Sequence, residues 1–254
     1  MANTICNIDN DENNFNISTE INSNALSQIL NLKIDYILCI SLEESVDRRE
    51  VVQKQAEKYN LPIEFVIVQR NPVLHRGCME SHLKCIQLAK ERGYDYVCIF
   101  EDDVSLIDDR VQDRLNKSSI ELPTIWNMIY LGYNVLRGCR QSSDLLNLVV
   151  TLTTHAYIIH SRVYDEVLNG ITTPWWLIPE MHNISQFEWN LSHSRDVIDV
   201  FYGKYICHRL GQCYGIYPML AIQAPGYSII QNRDVDYSQE LEHRSHTIAQ
   251  VTTL

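Results

Sequence analysis

The stretch Tyr96-Val97-Cys98-Ile99-Phe100-Glu101-Asp102-Asp103-Val104 decides the fold of this chain. Its five leading residues are apolar or aromatic without a charge among them. Such a run reads as a strand buried on both faces, the kind found in parallel sheets covered by helices. The strand runs directly into three carboxylates. In open α/β sheets ligands bind beyond the carboxyl ends of the strands, so the triplet stands where a ligand would.

Working outward, residues 36–40 form a second short apolar run, and Ile63–Val68 is β-branched and alternating, the mark of another strand. Between them lies a helix. Ser45 is placed to cap it, Asp47 falls in its first turn, Val52, Ala56 and Tyr59 form one apolar stripe, and Asn60 with Pro62 ends it. Gly77 is read as the opening of a helix over 77–92, with Met79, Leu83 and Ile86 on one face and Gly93 as its stop. Downstream, 128–131 and 156–159 read as strands, 162–168 and about 195–206 as helices. From Gln212 the pattern is irregular and is expected to wrap back over the site. Strands alternating with helices predict an α/β protein with an open, largely parallel sheet. Residues 1 to about 32, rich in Asn, Asp, Ser and Thr, read as a disordered or loosely docked tail, leaving 33–254 as a single domain.

Composition narrows the function. A net charge of -11 over 254 residues argues against nucleic acid as the main partner, because backbone binding needs clustered Lys and Arg. It leaves room for a nucleotide in a local basic pocket. None of the eight cysteines forms a CxxC pair, which disfavours a zinc ribbon or thioredoxin-type site. No leader peptide and no apolar run of membrane-spanning length is visible, so the cysteines read as thiols in a reducing compartment. The expected location is the cytoplasm, with a viral or virion-associated setting compatible.

Several groups could carry chemistry. Three successive carboxylates repel one another, and either solvent or a divalent cation with hard oxygen ligands can offset that. Alternation at a strand end aims Glu101 and Asp103 one way and Asp102 the other. In Asp47-Arg48-Arg49, Arg48 can meet a diphosphate or pair with a carboxylate. Ser81 and His82 fall near the expected start of their helix, where free N–H groups favour anions, although a histidine there is often structural. His155, at the start of a strand, poses the same choice. Asp196 and Asp199 share a helix face, as dipole partners or as a general base. Trp175-Trp176 is either core or a platform for a sugar ring.

Taken together, these segments resemble glycosyltransferase family 25, which includes lipooligosaccharide and collagen hydroxylysine galactosyltransferases. The resemblance rests on 36–43 with Asp47-Arg48-Arg49, on Gly77-Cys78 with Ser81-His82-Leu83, and on 99–104; weaker pieces follow at 126–132, 154–157, 197–201 and 218–223. It covers about residues 34–230. It implies a GT-A type fold, a Rossmann-like open mixed sheet flanked by helices. It also implies a UDP-hexose donor (galactose or glucose), Mn²⁺ or Mg²⁺, and inversion at the transferred sugar. Carried over by position, Glu101 and Asp103 match the metal-holding acidic motif, Arg48 the donor-side arginine and Asp199 the later acidic position. Ser41, Leu42, Arg48, Ser81, His82, Asp102 and His155 make up the donor-binding set that the resemblance implies. Asp199 is the first choice for catalytic base, with Asp196 and then Glu188 behind it. The sequence departs from the family pattern at Ser41, where Asn is usual, at the short loop Gln69-Arg70-Asn71-Pro72, and at Ile229, where many members carry Asp. The expected acceptor is a hydroxyl on a glycan or a hydroxylated, collagen-like protein. Two other readings stand beside this one: a catalytically degenerate member that binds a glycan or partner, and a metal-dependent hydrolase or nuclease.

Overall fold

The computed structural model describes residues 36–107, 111–170, 197–228 and 232–250. The expectations placed on the N-terminal tail, Trp175-Trp176, Glu188, Asp196 and Ile229 lie outside these residues.

A six-stranded sheet forms the centre. Its strands are β1 (Ile37–Leu42), β2 (Ile63–Val68), β3 (Tyr96–Glu101), β5 (Met128–Arg140), β6 (Leu145–His160) and β7 (Cys213–Ile216). They lie in the order β2-β1-β3-β6-β5-β7. β1 is parallel to β2 and β3, β5 is parallel to β7, and β6 runs against both of its neighbours, so one reversed strand joins two parallel groups. The sheet is mixed and largely parallel, with helices on both faces.

Side chains on β1 show why both faces must be covered. Leu38 packs in one core with α2 (Leu74–Glu91), α4 (Tyr164–Gly170) and α5 (Ile198–Phe201). Ile37 and Cys39 pack in the other, with α1 (Val46–Tyr59) and α3 (Val111–Glu121). Neighbouring residues point to opposite faces of a strand, so an unbroken apolar run is what a doubly covered strand requires.

The stop signals act as read. Asn60 at φ 52° and Gly93 at φ 69° turn left-handed after their helices. The next N–H in each case reaches back into the last turn, Leu61 to Ala56 at 2.8 Å and Tyr94 to Ala89 at 3.0 Å. The start signals do not. Ser45 occupies the cap position of α1 but makes no side-chain cap hydrogen bond. Helix α2 begins at Leu74, three residues before Gly77. Asn71 sets that start by accepting from the Val73 N–H at 2.8 Å. Gly77 serves a different purpose, since a Cβ there would lie 2.7 Å from Asn71 Cβ and push the loop away.

The two short strands expected at 128–131 and 156–159 are the open end of a long β5–β6 hairpin. Four register shifts along it, between Tyr130 and Gly138, disturb the two-residue alternation that would have announced its length. The helix expected over 195–206 is a short α5 that widens into a π-helix, Tyr202–Leu210. After β7 the chain returns over the carboxyl ends of the strands as expected: β8 (Ala221–Gln223) pairs with β4 (Val104–Leu106) directly after the acidic triplet. A hairpin of β9 (Gly226–Ser228) and β10 (Arg233–Val235) then leads to α6 (Ser238–Ala249), which packs on β5.

Close contact between β5 and the returning segment depends on Gly132. A Cβ there would meet His155 Nε2 at 2.2 Å and the Ala221 carbonyl oxygen at 2.3 Å. Gly132→Ala is expected to destabilise the fold by about 1–3 kcal/mol, the range for overpacking. Urea denaturation followed by circular dichroism checks this; an unchanged midpoint would mean that β8 is not seated against β5.

Candidate active site

Parallel pairing of β1 with β2 and β3 sets Ser41, Leu42, Val68 and Glu101 side by side at one end of the sheet. A cleft opens there, roofed by the N-terminal half of α2, by Arg48 of α1 and by Gln223, Tyr227 and Ser228 of the returning segment. The three carboxylates line it, each held by a different part of the fold.

Asp102 ties α1 to the sheet. It accepts from the Ser41 hydroxyl at 2.7 Å and from Arg48 at 3.1 Å. Arg48 also donates to the Tyr227 carbonyl at 2.9 Å and lies 3.9 Å from Asp103. Of the two roles open to Arg48, pairing with a carboxylate is the one formed, and the side chain still borders the cleft. Arg49 donates to Ser41 at 3.0 Å and to the Leu42 and Glu43 carbonyls, which stiffens the turn after β1.

Glu101 turns inward. Its Oε1 accepts from the Thr154 hydroxyl at 2.7 Å and faces His82 Nε2 at 3.3 Å. His82 Nδ1 meets the Tyr157 hydroxyl at 2.9 Å, which in turn meets the Tyr202 hydroxyl at 3.1 Å. Burial pushes the Glu101 carboxyl up, but the hydrogen bonds and charge of His82 and Thr154 outweigh it and hold the group below its usual value.

Asp103 is the least satisfied of the three. Its Oδ2 accepts from Gln223 at 2.8 Å, while Oδ1 is buried with no hydrogen-bond partner. Burial first and Glu101 second push this carboxyl from its ordinary 3.8 up to about 7, against the pull of Gln223 and Arg48. Asp102 aims at Ser41 and Arg48, while Asp103 feels the charge of both Glu101 and Asp102.

Two residues expected near a helix start sit elsewhere. Because α2 begins at Leu74, Ser81 and His82 lie two turns in, where the backbone N–H groups are already used. Ser81 donates back to the Gly77 carbonyl at 2.6 Å, and both residues line the cleft. Leu42 lines the cleft, whereas His155 does not; it is buried beside Gly132 and Ala221, and burial lowers its pKa. Asp199 stands at the first turn of α5, accepting from the Val200 N–H at 2.7 Å and the Thr153 N–H at 3.4 Å. Burial raises its pKa, and Glu101 adds to that. Sequence reasoning gave no roles to Thr154, Tyr157, Gln223 or Tyr227. Their place in the site comes from long-range packing, and their only signal was that Thr154, Tyr157 and Gln223 fall within the resembling segments.

The architecture is that expected of a GT-A type fold, an open mixed sheet with helices on either side and a cleft at the strand ends. Residues 75–169 match the model of glycosyltransferase family 25 (LPS biosynthesis protein), a stretch holding Cys78, His82, the acidic triplet, Thr154 and Tyr157. No curated protein matches the chain. Among solved structures, a glycosyltransferase involved in the glycosylation of the major capsid of PBCV-1 is similar at 12% identity and TM-score 0.44, over 84% of this chain and 97% of that one. An apo UDP-glucose pyrophosphorylase is similar at 8% identity and TM-score 0.42, over 84% and 80% of the two chains. Assignment of the fold rests on the sheet itself, and the family match supports a transferase.

The strained carboxyl of Asp103 has a measurable sign. Between its ordinary 3.8 and about 7 the folded chain keeps a proton that the unfolded chain has released. Stability of the metal-free protein therefore falls as pH rises through that window. Asp103→Asn removes the penalty, so it should stabilise the metal-free protein by about 1–3 kcal/mol more at pH 8 than at pH 5. Denaturation midpoints at the two pH values test this, and equal effects at both would refute the raised carboxyl.

Proposed function

We propose that this protein is a metal-dependent glycosyltransferase that moves a hexose, galactose or glucose, from a UDP-sugar to a hydroxyl on a glycan or hydroxylated protein, with inversion. Residues 33–254 act as one catalytic unit in this reading. The observation that carries it is the Glu101–Asp103 pair at the carboxyl end of β3, with one buried carboxylate oxygen lacking a partner. Oxygen ligands with unmet negative charge fit a hard divalent ion such as Mn²⁺ or Mg²⁺. Such an ion would neutralise charge on the leaving diphosphate.

The chain's own groups supply the rest. Arg48 borders the cleft with a guanidinium already fixed by Asp102 and the Tyr227 carbonyl, so it meets a diphosphate without first being ordered. Ser41, Leu42, Ser81 and His82 form the wall against which the donor lies. Asp199 is the base, taking the proton of the acceptor hydroxyl onto a carboxylate oxygen. Burial raises its proton affinity toward what a general base needs.

UDP release from UDP-galactose and UDP-glucose, measured with and without Mn²⁺, tests the reading. Asp103→Ala should abolish the metal-dependent release while the protein stays folded; unchanged release would remove Asp103 from the metal site. Asp199→Asn should lower turnover by roughly 10²–10⁴-fold at unchanged donor KM, as loss of a base does. A fall accompanied by weakened Mn²⁺ binding would instead assign Asp199 to holding the Thr153 backbone, which stands at a left-handed φ of 72°.

A further inference from the structure

One cluster at the cleft has a chemistry the carboxylate pair lacks. Cys78, His82 and Glu101 offer a thiol sulfur, an imidazole nitrogen and a carboxylate oxygen, all within 4.8 Å of one another. Cys78 and His82 are one turn apart on the same face of α2, and Glu101 arrives from the end of β3. We propose that these three side chains form a binding site for a borderline-soft divalent cation, Zn²⁺ by its chemistry, with the fourth coordination position open to the cleft.

Four observations support this. Sulfur and imidazole ligands select Zn²⁺ over Mn²⁺ or Mg²⁺, which prefer oxygen alone. A tetrahedral Zn²⁺ site with bonds of about 2.0–2.3 Å has edges of about 3.3–3.8 Å. His82 Nε2 and Glu101 Oε1 already stand at 3.3 Å, so about 1 Å of closure, a rotamer adjustment at Cys78, completes the set. The supporting groups are also in place. Tyr157 holds His82 Nδ1 at 2.9 Å, leaving Nε2 to face the site, as a ligating histidine requires. Thr154 holds Glu101 at 2.7 Å. Finally, a thiolate and a carboxylate together cancel the charge of the ion, and all three ligands line the cleft, leaving room for a fourth.

Glu101 is common to this site and to the pair with Asp103. Where the transferase reading holds, Zn²⁺ therefore competes with the hard ion and blocks transfer; the binding site itself does not depend on that reading.

The test uses the metal-free full chain and Co²⁺ as a spectroscopic probe, with no sugar nucleotide present. Wild-type protein should show a thiolate-to-cobalt charge-transfer band with tetrahedral ligand-field bands, bleached by one equivalent of Zn²⁺. Cys78→Ser should lose the charge-transfer band and weaken Zn²⁺ binding at least tenfold, while Cys139→Ser, on the distant hairpin, keeps both. Zn²⁺ should also protect Cys78 from alkylation in the folded wild-type protein, read peptide by peptide, which decides the matter if Cys78→Ser folds poorly. No band in the wild type, a band that survives in folded Cys78→Ser, or unprotected Cys78 overturns the proposal. None of these outcomes bears on UDP release, so the two readings fail separately.

Discussion

Three carboxylates in sequence at the end of a buried strand repel one another, and the surrounding structure is arranged to meet that repulsion three different ways. Glu101 is met by α2 and β6 through His82 and Thr154, Asp102 by β1 and α1 through Ser41 and Arg48, and Asp103 by β8 through Gln223. Each answer brings a separate element to one point. Only the third is incomplete, since a single amide cannot satisfy a buried carboxylate and Oδ1 has no partner. The cleft is therefore electrostatically graded, with one carboxylate held below its usual proton affinity, one paired to arginine, and one pushed up toward neutrality.

Much of this was legible in the sequence, and the parts that were not share a physical cause. The buried strands β1 and β3 announce themselves because both faces are covered, and the helix stops at Asn60 and Gly93 because left-handed turns demand such residues. Helix α2 starts earlier than Gly77 implies because an asparagine side chain three residues upstream of Leu74 fixes the turn, while the glycine only clears space for it. The β5–β6 hairpin hid behind its bulges. At the site, the resemblance pointed to the acidic motif and Arg48, which are local in sequence. Thr154 and Gln223 reach Glu101 and Asp103 across 53 and 120 residues, and nothing in a single sequence marks a contact of that range.

His82 illustrates how one placement changes an argument. Read at a helix start, it stood either beside backbone N–H groups awaiting an anion or as a hydrogen-bonded structural group. Two turns further in, it instead joins a buried row of Glu101, Tyr157 and Tyr202, where its two ring nitrogens have distinct partners. That asymmetry fixes which nitrogen faces the cleft, a property of the packing that residue type alone does not convey.

The length of β6 has an evolutionary consequence. It runs against β3, with Ala156 opposite Phe100, and extends past the point where β3 ends. Thr154 thus holds Glu101 from within a hydrogen-bonded strand and not from a loop. Loops drift readily between related proteins and interior strands do not. A lineage built on this plan can exchange the connections around the cleft while the acid at its centre stays anchored to the same unmoving wall.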